Sequence, residues 1–182
     1  LGFEGSLKDM TRLLEIFKPE FLVGADLSGE DFNLLSGLTT LRFLSASLKD
    51  SVYTFPLPAL PELNQLMLSD VIEDAVITDD FLINNKQIER LIIMGPGNFN
   101  LRLIRPLENL KELIIEEFDT MADFDLIMNK KQLELLSVAV KRSGFEACLK
   151  ELPGIRWMTF DEKTTQDAFN SFIESHPDIE VV

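Results

Sequence analysis

A triplet of apolar residues, spaced by three and then by two positions, recurs along the whole chain. The copies are Leu38-Leu41-Phe43, Leu63-Leu66-Leu68, Ile88-Leu91-Ile93, Leu110-Leu113-Ile115, Leu133-Leu136-Val138 and Ile155-Met158-Phe160, with an incomplete copy at Ile179 and Val181. The middle residues lie at positions 41, 66, 91, 113, 136, 158 and 179, so neighbouring copies are 21 to 25 residues apart. A period held over seven copies indicates stacked units that bury their apolar faces against one another.

The repeated unit resembles that of the leucine-rich repeat family, which reads L-x-x-L-x-x-L-x-L with a period of about 20 to 29 residues. Two copies carry the full motif, at Leu35, Leu38, Leu41 and Phe43 and at Ile104, Leu107, Leu110, Leu113 and Ile115. The resemblance covers Ser28 to Val182 and implies an α/β fold, a solenoid or horseshoe with a parallel concave sheet and helices on the convex side. Where the family places Asn or Cys after the strand, this chain has Ala46, Val71, Pro96, Phe118, Lys141 and Lys163. We therefore expect less regular turns.

Each unit is predicted to contain one short parallel strand, since Leu41 and Phe43 point to one face and their neighbours to the other. The stretches between strands have helical spacing of apolar residues. Predicted helix starts are Asp79-Asp80 and three capping boxes at Thr120 to Asp123, Ser143 to Glu146 and Thr164 to Asp167. We expect a right-handed solenoid of about seven strands, with helices at least in the last three units.

Residues 1–27 are predicted to form an N-terminal capping helix and a first strand, and residues 28–182 the repeats of a single solenoid domain. The helix is indicated by Ser6 to Asp9 leading into Met10, Leu13, Leu14 and Phe17, and it should end before Pro19. Phe21 is assigned the middle position of the first strand.

The charge of the chain disfavours several classes of partner. There are 17 basic and 31 acidic residues, a net charge of −14, and the basic residues form no cluster larger than a pair. Nucleic acid and anionic membrane surfaces both require clustered Lys and Arg, so neither is expected as a partner. The longest stretches without a charged residue have eleven residues, too few for a membrane span. A single cysteine, Cys148, favours a cytoplasmic location.

Groups that carry chemistry are few, and we expect neither catalysis nor a cofactor. The one histidine, His176, precedes Pro177 and is interpreted as a helix-end residue. Cys148 lies on an apolar helical stripe and is interpreted as a buried, inert thiol. The Met94 to Asn98 segment lacks the Lys and the Ser or Thr of a phosphate loop and is read as a turn. Acidic residues that follow the strands could bind calcium, but no segment matches a calcium loop, and we expect no metal site.

The strand positions that point away from the leucine core predict the functional surface. Four large apolar residues occupy such positions in adjacent units: Met67, Ile92, Met94 and Ile114. Charged residues surround them at Arg90, Glu112 and Glu116, and Trp157 lies further along. An exposed apolar patch with a polar rim is typical of a protein contact site. We therefore predict a module that binds a protein or peptide on its concave face. The alternatives are a structural or self-associating segment of a larger protein, including a homodimer, and a small acidic inhibitor or immunity-type protein.

Overall fold

The computed structural model describes residues 2–48, 52–71, 76–123, 125–142 and 157–160, together with residues 170, 174, 177, 180 and 181. Its strands are β1 Gly2–Ser6, β2 Phe21–Leu27, β3 Phe43–Leu48, β4 Val52–Tyr53, β5 Gln65–Ser69, β6 Val76–Ile77, β7 Arg90–Met94, β8 Asn98–Asn100, β9 Glu112–Ala122, β10 Leu135–Arg142, β11 Trp157–Phe160 and β12 Glu180–Val181. Its helices are α1 Thr11–Phe17, α2 Phe32–Leu35 and α3 Asp125–Met128, with 3-10 turns at Leu7–Met10, Gly29–Asp31 and Leu101–Ile104.

One ten-stranded parallel sheet organises the described part of the chain. Its strand order is β1-β2-β3-β5-β7-β9-β10-β11-β12, and β8 pairs with the second half of β9. The short strands β4 and β6 form a second parallel pair between the main strands. Each main strand lies beside the main strand of the next unit, so the predicted solenoid with a parallel sheet is confirmed. The sheet has more strands than the seven repeats alone would provide, because the predicted first strand, now β2, joins it together with the unpredicted β1 and the short β8.

The middle strand residues form one row across the sheet. The row contains Leu22, Leu44, Leu66, Leu91, Leu113, Leu136, Met158 and Val181, which lie 22, 22, 25, 22, 23, 22 and 23 residues apart. Five of the predicted middle residues are confirmed, from Leu66 to Met158. The period is also more regular than the sequence suggested.

The predicted register is wrong at both ends of the row. Leu44 rather than Leu41 pairs with Leu66, Leu22 replaces Phe21, and Val181 replaces Ile179. Leu41 lies in the turn before β3, where its N–H donates to Leu38 O at 3.0 Å, as the N–H of Leu63 donates to Leu60 O at 2.9 Å before β5. Both the turn and the strand place leucines three residues apart, and this spacing alone does not distinguish them.

The leucines inside the sheet form a continuous core. The second full motif, Ile104, Leu107, Leu110, Leu113 and Ile115, is fully buried. Along β5 and β7 buried residues alternate with residues that are exposed or half-buried, which is the pattern of a sheet covered on one face only.

The convex segments differ from the prediction. Residues 79–84 form successive turns rather than a helix, closed by the bonds Phe81 N to Thr78 O and Ile83 N to Asp80 O. Thr120 does not cap a helix, because pairing with β8 and β10 extends β9 through Thr120 to Ala122, and α3 begins only at Asp125. The helix starts predicted at Ser143 and Thr164 lie outside the described residues.

Two polar side chains tie consecutive units together at a position where other units have leucine. Asn85 and Lys130 lie six residues before Leu91 and Leu136, as Leu60 and Leu107 lie before Leu66 and Leu113. Asn85 Oδ1 accepts from Leu60 N at 2.9 Å, and its Nδ2 donates to Pro58 O at 2.9 Å. Lys130 Nζ donates to the carbonyls of Arg105 and Leu107 at 3.1 and 2.9 Å. Both satisfy backbone groups of the preceding unit that would otherwise be buried without a partner.

The helix predicted near the N-terminus is confirmed as α1, which ends at Phe17 before Pro19. Strand β1 precedes α1 and pairs with β2, so the sheet begins before this helix. The division into residues 1–27 and 28–182 stays a prediction. Among the described residues, no helix has the length and apolar character needed to cross a membrane.

Candidate partner-binding surface

Four apolar residues predicted for the site lie side by side on the concave face of the sheet. Met67 on β5, Ile92 on β7 and Ile114 on β9 are consecutive register partners, and Met94 lies two residues after Ile92. All four are half-buried, in alternation with the fully buried leucines of the same strands. Neighbouring strands in a sheet are about 4.8 Å apart, so the four side chains make one surface. We call Met67, Ile92, Met94 and Ile114 the concave patch.

The charged residues at the strand starts compensate one another. Arg90 Nε lies 3.1 Å from Glu112 Oε2 on the adjacent strand, and Lys111 Nζ lies 3.0 Å from Glu89 Oε1. The backbone reinforces this arrangement, because Glu89 O accepts from both Lys111 N and Glu112 N. Arg90 and Glu112, both predicted for the site, therefore bring no net charge to this side of the concave patch.

Glu116 stands at the other side of the concave patch. It is half-buried, and its register partners on the two adjacent strands are Met94 and Ala139, neither of which is charged. Next to it, Glu117 is exposed and has a φ of 72°, and the pairing of β9 with β10 shifts by one residue at this point. This β-bulge increases the local twist and aims the two glutamates differently.

Trp157 lies on β11, in register with Leu135 on β10. The same row contains Arg90 and Glu112 on β7 and β9. The backbone of Trp157 is thus two strands beyond Glu112, while its side chain is outside the described structure.

Sequence reasoning missed an apolar extension of the same face. Val23 on β2 is 42% exposed and lies in the row of Met67, with Ser45 between them. Phe21 is 54% exposed and is paired in register with the half-buried Phe43. The sequence did contain a signal for the correct register of β3. The spacing of one set of apolar residues is repeated 22 positions later: Leu38, Leu41, Leu44 and Ala46 correspond to Leu60, Leu63, Leu66 and Leu68. It was overlooked because the triplet Leu38-Leu41-Phe43 matched the repeat pattern and placed Leu41, rather than Leu44, in the middle of the strand.

Four other features singled out in the sequence are the Met94 to Asn98 turn, the acidic residues, His176 and Cys148. The turn predicted at Met94 to Asn98 is confirmed as a bend that leads into β8, with Gly97 at a φ of 83°. Within the described residues, no three His, Cys, Asp or Glu side chains are grouped to hold a metal ion. Asp79 and Asp123 instead pair with Arg105 and Arg102 at 3.0 and 3.1 Å. His176 and Cys148 lie outside the described residues.

Known proteins resemble this chain in structure and not in sequence. Neither a protein-family model nor a curated protein matches it. A leucine-rich repeat protein of Leptospira interrogans matches 100% of this chain with a TM-score of 0.55 at 11% identity. The chain has the leucine-rich repeat fold. Internalin C2 of Listeria monocytogenes matches 75% of the chain with a TM-score of 0.46 at 16% identity. The matched part of the chain spans 58% of the length of the Leptospira protein and 61% of the length of internalin C2.

Proposed function

We propose that this leucine-rich repeat chain is a non-catalytic interaction module that binds a segment of another protein on its concave face. The observation that carries the proposal is the concave patch. Ile92 and Ile114 are β-branched apolar residues on adjacent strands, pointing away from a core that the leucines already fill. A sheet face exposed to water usually carries polar residues, so a group of four apolar residues there marks a contact surface.

The composition of the surface favours a protein ligand. Contact sites combine a central apolar group with a polar rim that fixes orientation, and Arg90, Glu112 and Glu116 provide such a rim. Methionine side chains adapt their shape to a partner, and Ile92 has Met67 beside it on β5 and Met94 two residues further along β7.

The lysine with a perturbed pKa does not point to catalysis. Burial lowers the pKa of Lys130, and the nearby Glu108 carboxylate partly opposes this effect. Its amine is occupied by two backbone carbonyls and lies away from the concave patch, between consecutive turns. A structural role therefore accounts for it.

The proposal is tested by replacing Ile92 and Ile114 together with aspartate and measuring binding of segments from a random displayed peptide library. Peptides selected on the wild-type chain should lose binding to the double variant by at least about tenfold, because the central apolar contacts of an interface dominate its affinity. The melting temperature should fall by only a few degrees, since the two side chains are not part of the leucine core.

The matched control is Val52→Asp with Val76→Asp, which also replaces two exposed register partners, on β4 and β6. This variant should retain peptide binding. The proposal is wrong if no selected peptide depends on Ile92 and Ile114, or if the Ile92→Asp, Ile114→Asp variant unfolds while the control stays folded, which would make the concave patch part of the core.

Self-association is a second candidate, favoured by exposed apolar residues at the N-terminal end. Ile16 and Phe17 on α1 are 69% and 66% exposed, close in sequence to Phe21 and Val23 on the concave face. Light scattering on the wild-type chain distinguishes the two functions. A dimer that dissociates in the Ile92→Asp, Ile114→Asp variant would assign the concave patch to self-association.

A further inference from the structure

The two sides of the concave patch differ in charge balance. Where the strands begin, acidic and basic side chains of adjacent strands are paired: Arg90 with Glu112, Glu89 with Lys111, and Glu20 with Arg42, whose closest atoms are 3.9 Å apart. A partner that covers this side meets charges that are already compensated.

At the ends of β5 and β9 the described side chains that carry charge are acidic, whereas β10 ends with Lys141 and Arg142, whose side chains are outside the described structure. Asp70 follows β5, and Glu116 and Glu117 lie on β9. Asp70 Oδ2 accepts a hydrogen bond from Ser47 Oγ at 2.8 Å, and a hydroxyl leaves the negative charge in place. Arg102, in the 3-10 turn after β8, is already paired through its guanidinium with Asp123.

Glu116 is the acidic residue that a bound partner would affect most. It is half-buried beside Met94 and lies two residues after Ile114 on the same face of β9. Any segment that covers the concave patch must remove water from this carboxylate. Burying a carboxylate without an opposite charge is costly, and the strands on both sides present only Met94 and Ala139. The compensating charge must therefore come from the partner.

We propose that the ligand of the concave face is a basic protein segment, in which a large apolar side chain rests on Ile92 and Ile114 and a neighbouring Lys or Arg pairs with Glu116. Asp70 and Glu117 extend the attraction to further basic residues of the segment. This proposal rests on the proposed function and adds the chemistry of the partner. The net charge of −14 acts in the same direction, since it attracts cationic segments during encounter.

The test uses the same random peptide library, selected on the wild-type chain at low ionic strength, and reads the sequences that are enriched. Selected peptides should contain Lys or Arg within a few positions of a large apolar residue. Glu116→Lys should weaken their binding by about tenfold or more, because a like charge replaces an attraction at the contact. Changing the peptide's Lys to Glu should restore binding to the Glu116→Lys variant and weaken binding to the wild type.

Glu62→Lys is the matched control, since it changes the net charge equally at an exposed residue in the turn before β5. It should alter binding by less than about threefold. The inference is overturned if peptides that depend on Ile92 and Ile114 bind Glu116→Lys as well as the wild type, or if they are not enriched in Lys and Arg. In that case the concave patch still binds peptides and the proposed function stands. Loss of all dependence on Ile92 and Ile114 would overturn the proposed function itself.

Discussion

At the scale of single residues, two turns between units are held by polar side chains, Asn85 and Lys130. Each lies at a repeat position where other units have leucine. Asn85 is fully buried and bonds to the backbone of the preceding unit, and Lys130 does the same two units later. A buried amide or amine is tolerated only when its hydrogen bonds are satisfied, as both are here. These residues act between units at the turn before the strand, whereas the asparagine of the family motif follows the strand.

The buried amine of Lys130 predicts a pH dependence of stability. Burial lowers its pKa in the folded chain below the 10.5 of an exposed lysine. Between the lowered pKa and 10.5 the unfolded chain binds more protons, so raising the pH through this window increases the free energy of unfolding that this residue contributes. Below the lowered pKa the lysine is protonated in both states, so the free-energy cost of burying its charge does not change with pH. The free energy of unfolding of the wild type relative to Lys130→Met should therefore rise between pH 7 and about 10 in urea denaturation.

Lys131→Met removes the adjacent exposed lysine and is the control for the loss of one positive charge. The difference in free energy of unfolding between the wild type and Lys131→Met should not rise between pH 7 and about 10. A difference between the wild type and Lys130→Met that stays flat or falls with increasing pH would contradict the prediction.

At the scale of elements, the close approach of neighbouring units is set at Gly95, directly after β7. Gly95 N donates to Glu116 O at 3.2 Å, and Val71 N donates to Met94 O at 3.2 Å, so the bend lies between two units. A Cβ at Gly95 would overlap the carbonyl oxygen of Val71 and lie 2.9 Å from its nitrogen. Because the overlapping atoms belong to the backbone, and the bend is bonded to units on both sides, neither chain can move aside to accommodate the Cβ.

Gly95→Ala should therefore destabilise the chain by roughly 1 to 3 kcal/mol in urea denaturation, as overpacking does elsewhere. The control is Gly37→Ala, where the nearest atom to an added Cβ is Leu34 O at an ordinary 3.7 Å. That substitution should change the free energy of unfolding by less than about 1 kcal/mol. Equal effects at the two glycines would show that the contact with Val71 does not limit the packing of the bend.

The strands were more predictable from the sequence than the segments between them. A strand in this fold has one face fixed by buried residues such as Leu66 and Leu68, and this produces a period of two that the sequence displays. The convex segments have no such constraint. Their form depends on what the adjacent strand does, as at Thr120, where a pairing partner on each side keeps the chain extended. The same local sequence satisfies a helix cap and a strand.

At the scale of the whole molecule, the period determined the fold and nearly determined which residues form the concave patch. Stacked units align residues at equivalent positions, so Met67, Ile92 and Ile114 could be placed in one row without a structure. The ion pair between Arg90 and Glu112 could not be predicted, since it depends on side-chain geometry across strands. The uncharged neighbours of Glu116, Met94 and Ala139, follow from the alignment of the units. Phe21 and Val23 were missed because the register of the first units rested on Leu41.

The row of leucines predicts how the molecule responds to a cavity. Leu113 is fully buried between Leu91 and Leu136 of the adjacent units. Leu113→Ala should cost roughly 2 to 5 kcal/mol, the transfer free energy of the lost atoms plus the cavity that remains. Because each repeat contacts only its neighbours, the loss should be concentrated around β9. Amide hydrogen exchange should therefore lose protection most in β7, β9 and β10 and least in β2 and β3.

The control is Ile114→Ala, adjacent in sequence but half-buried on the concave face, which should cost about 1 kcal/mol or less. A cost for Leu113→Ala below about 1 kcal/mol, or below that of Ile114→Ala, would mean that the two faces of β9 have been exchanged.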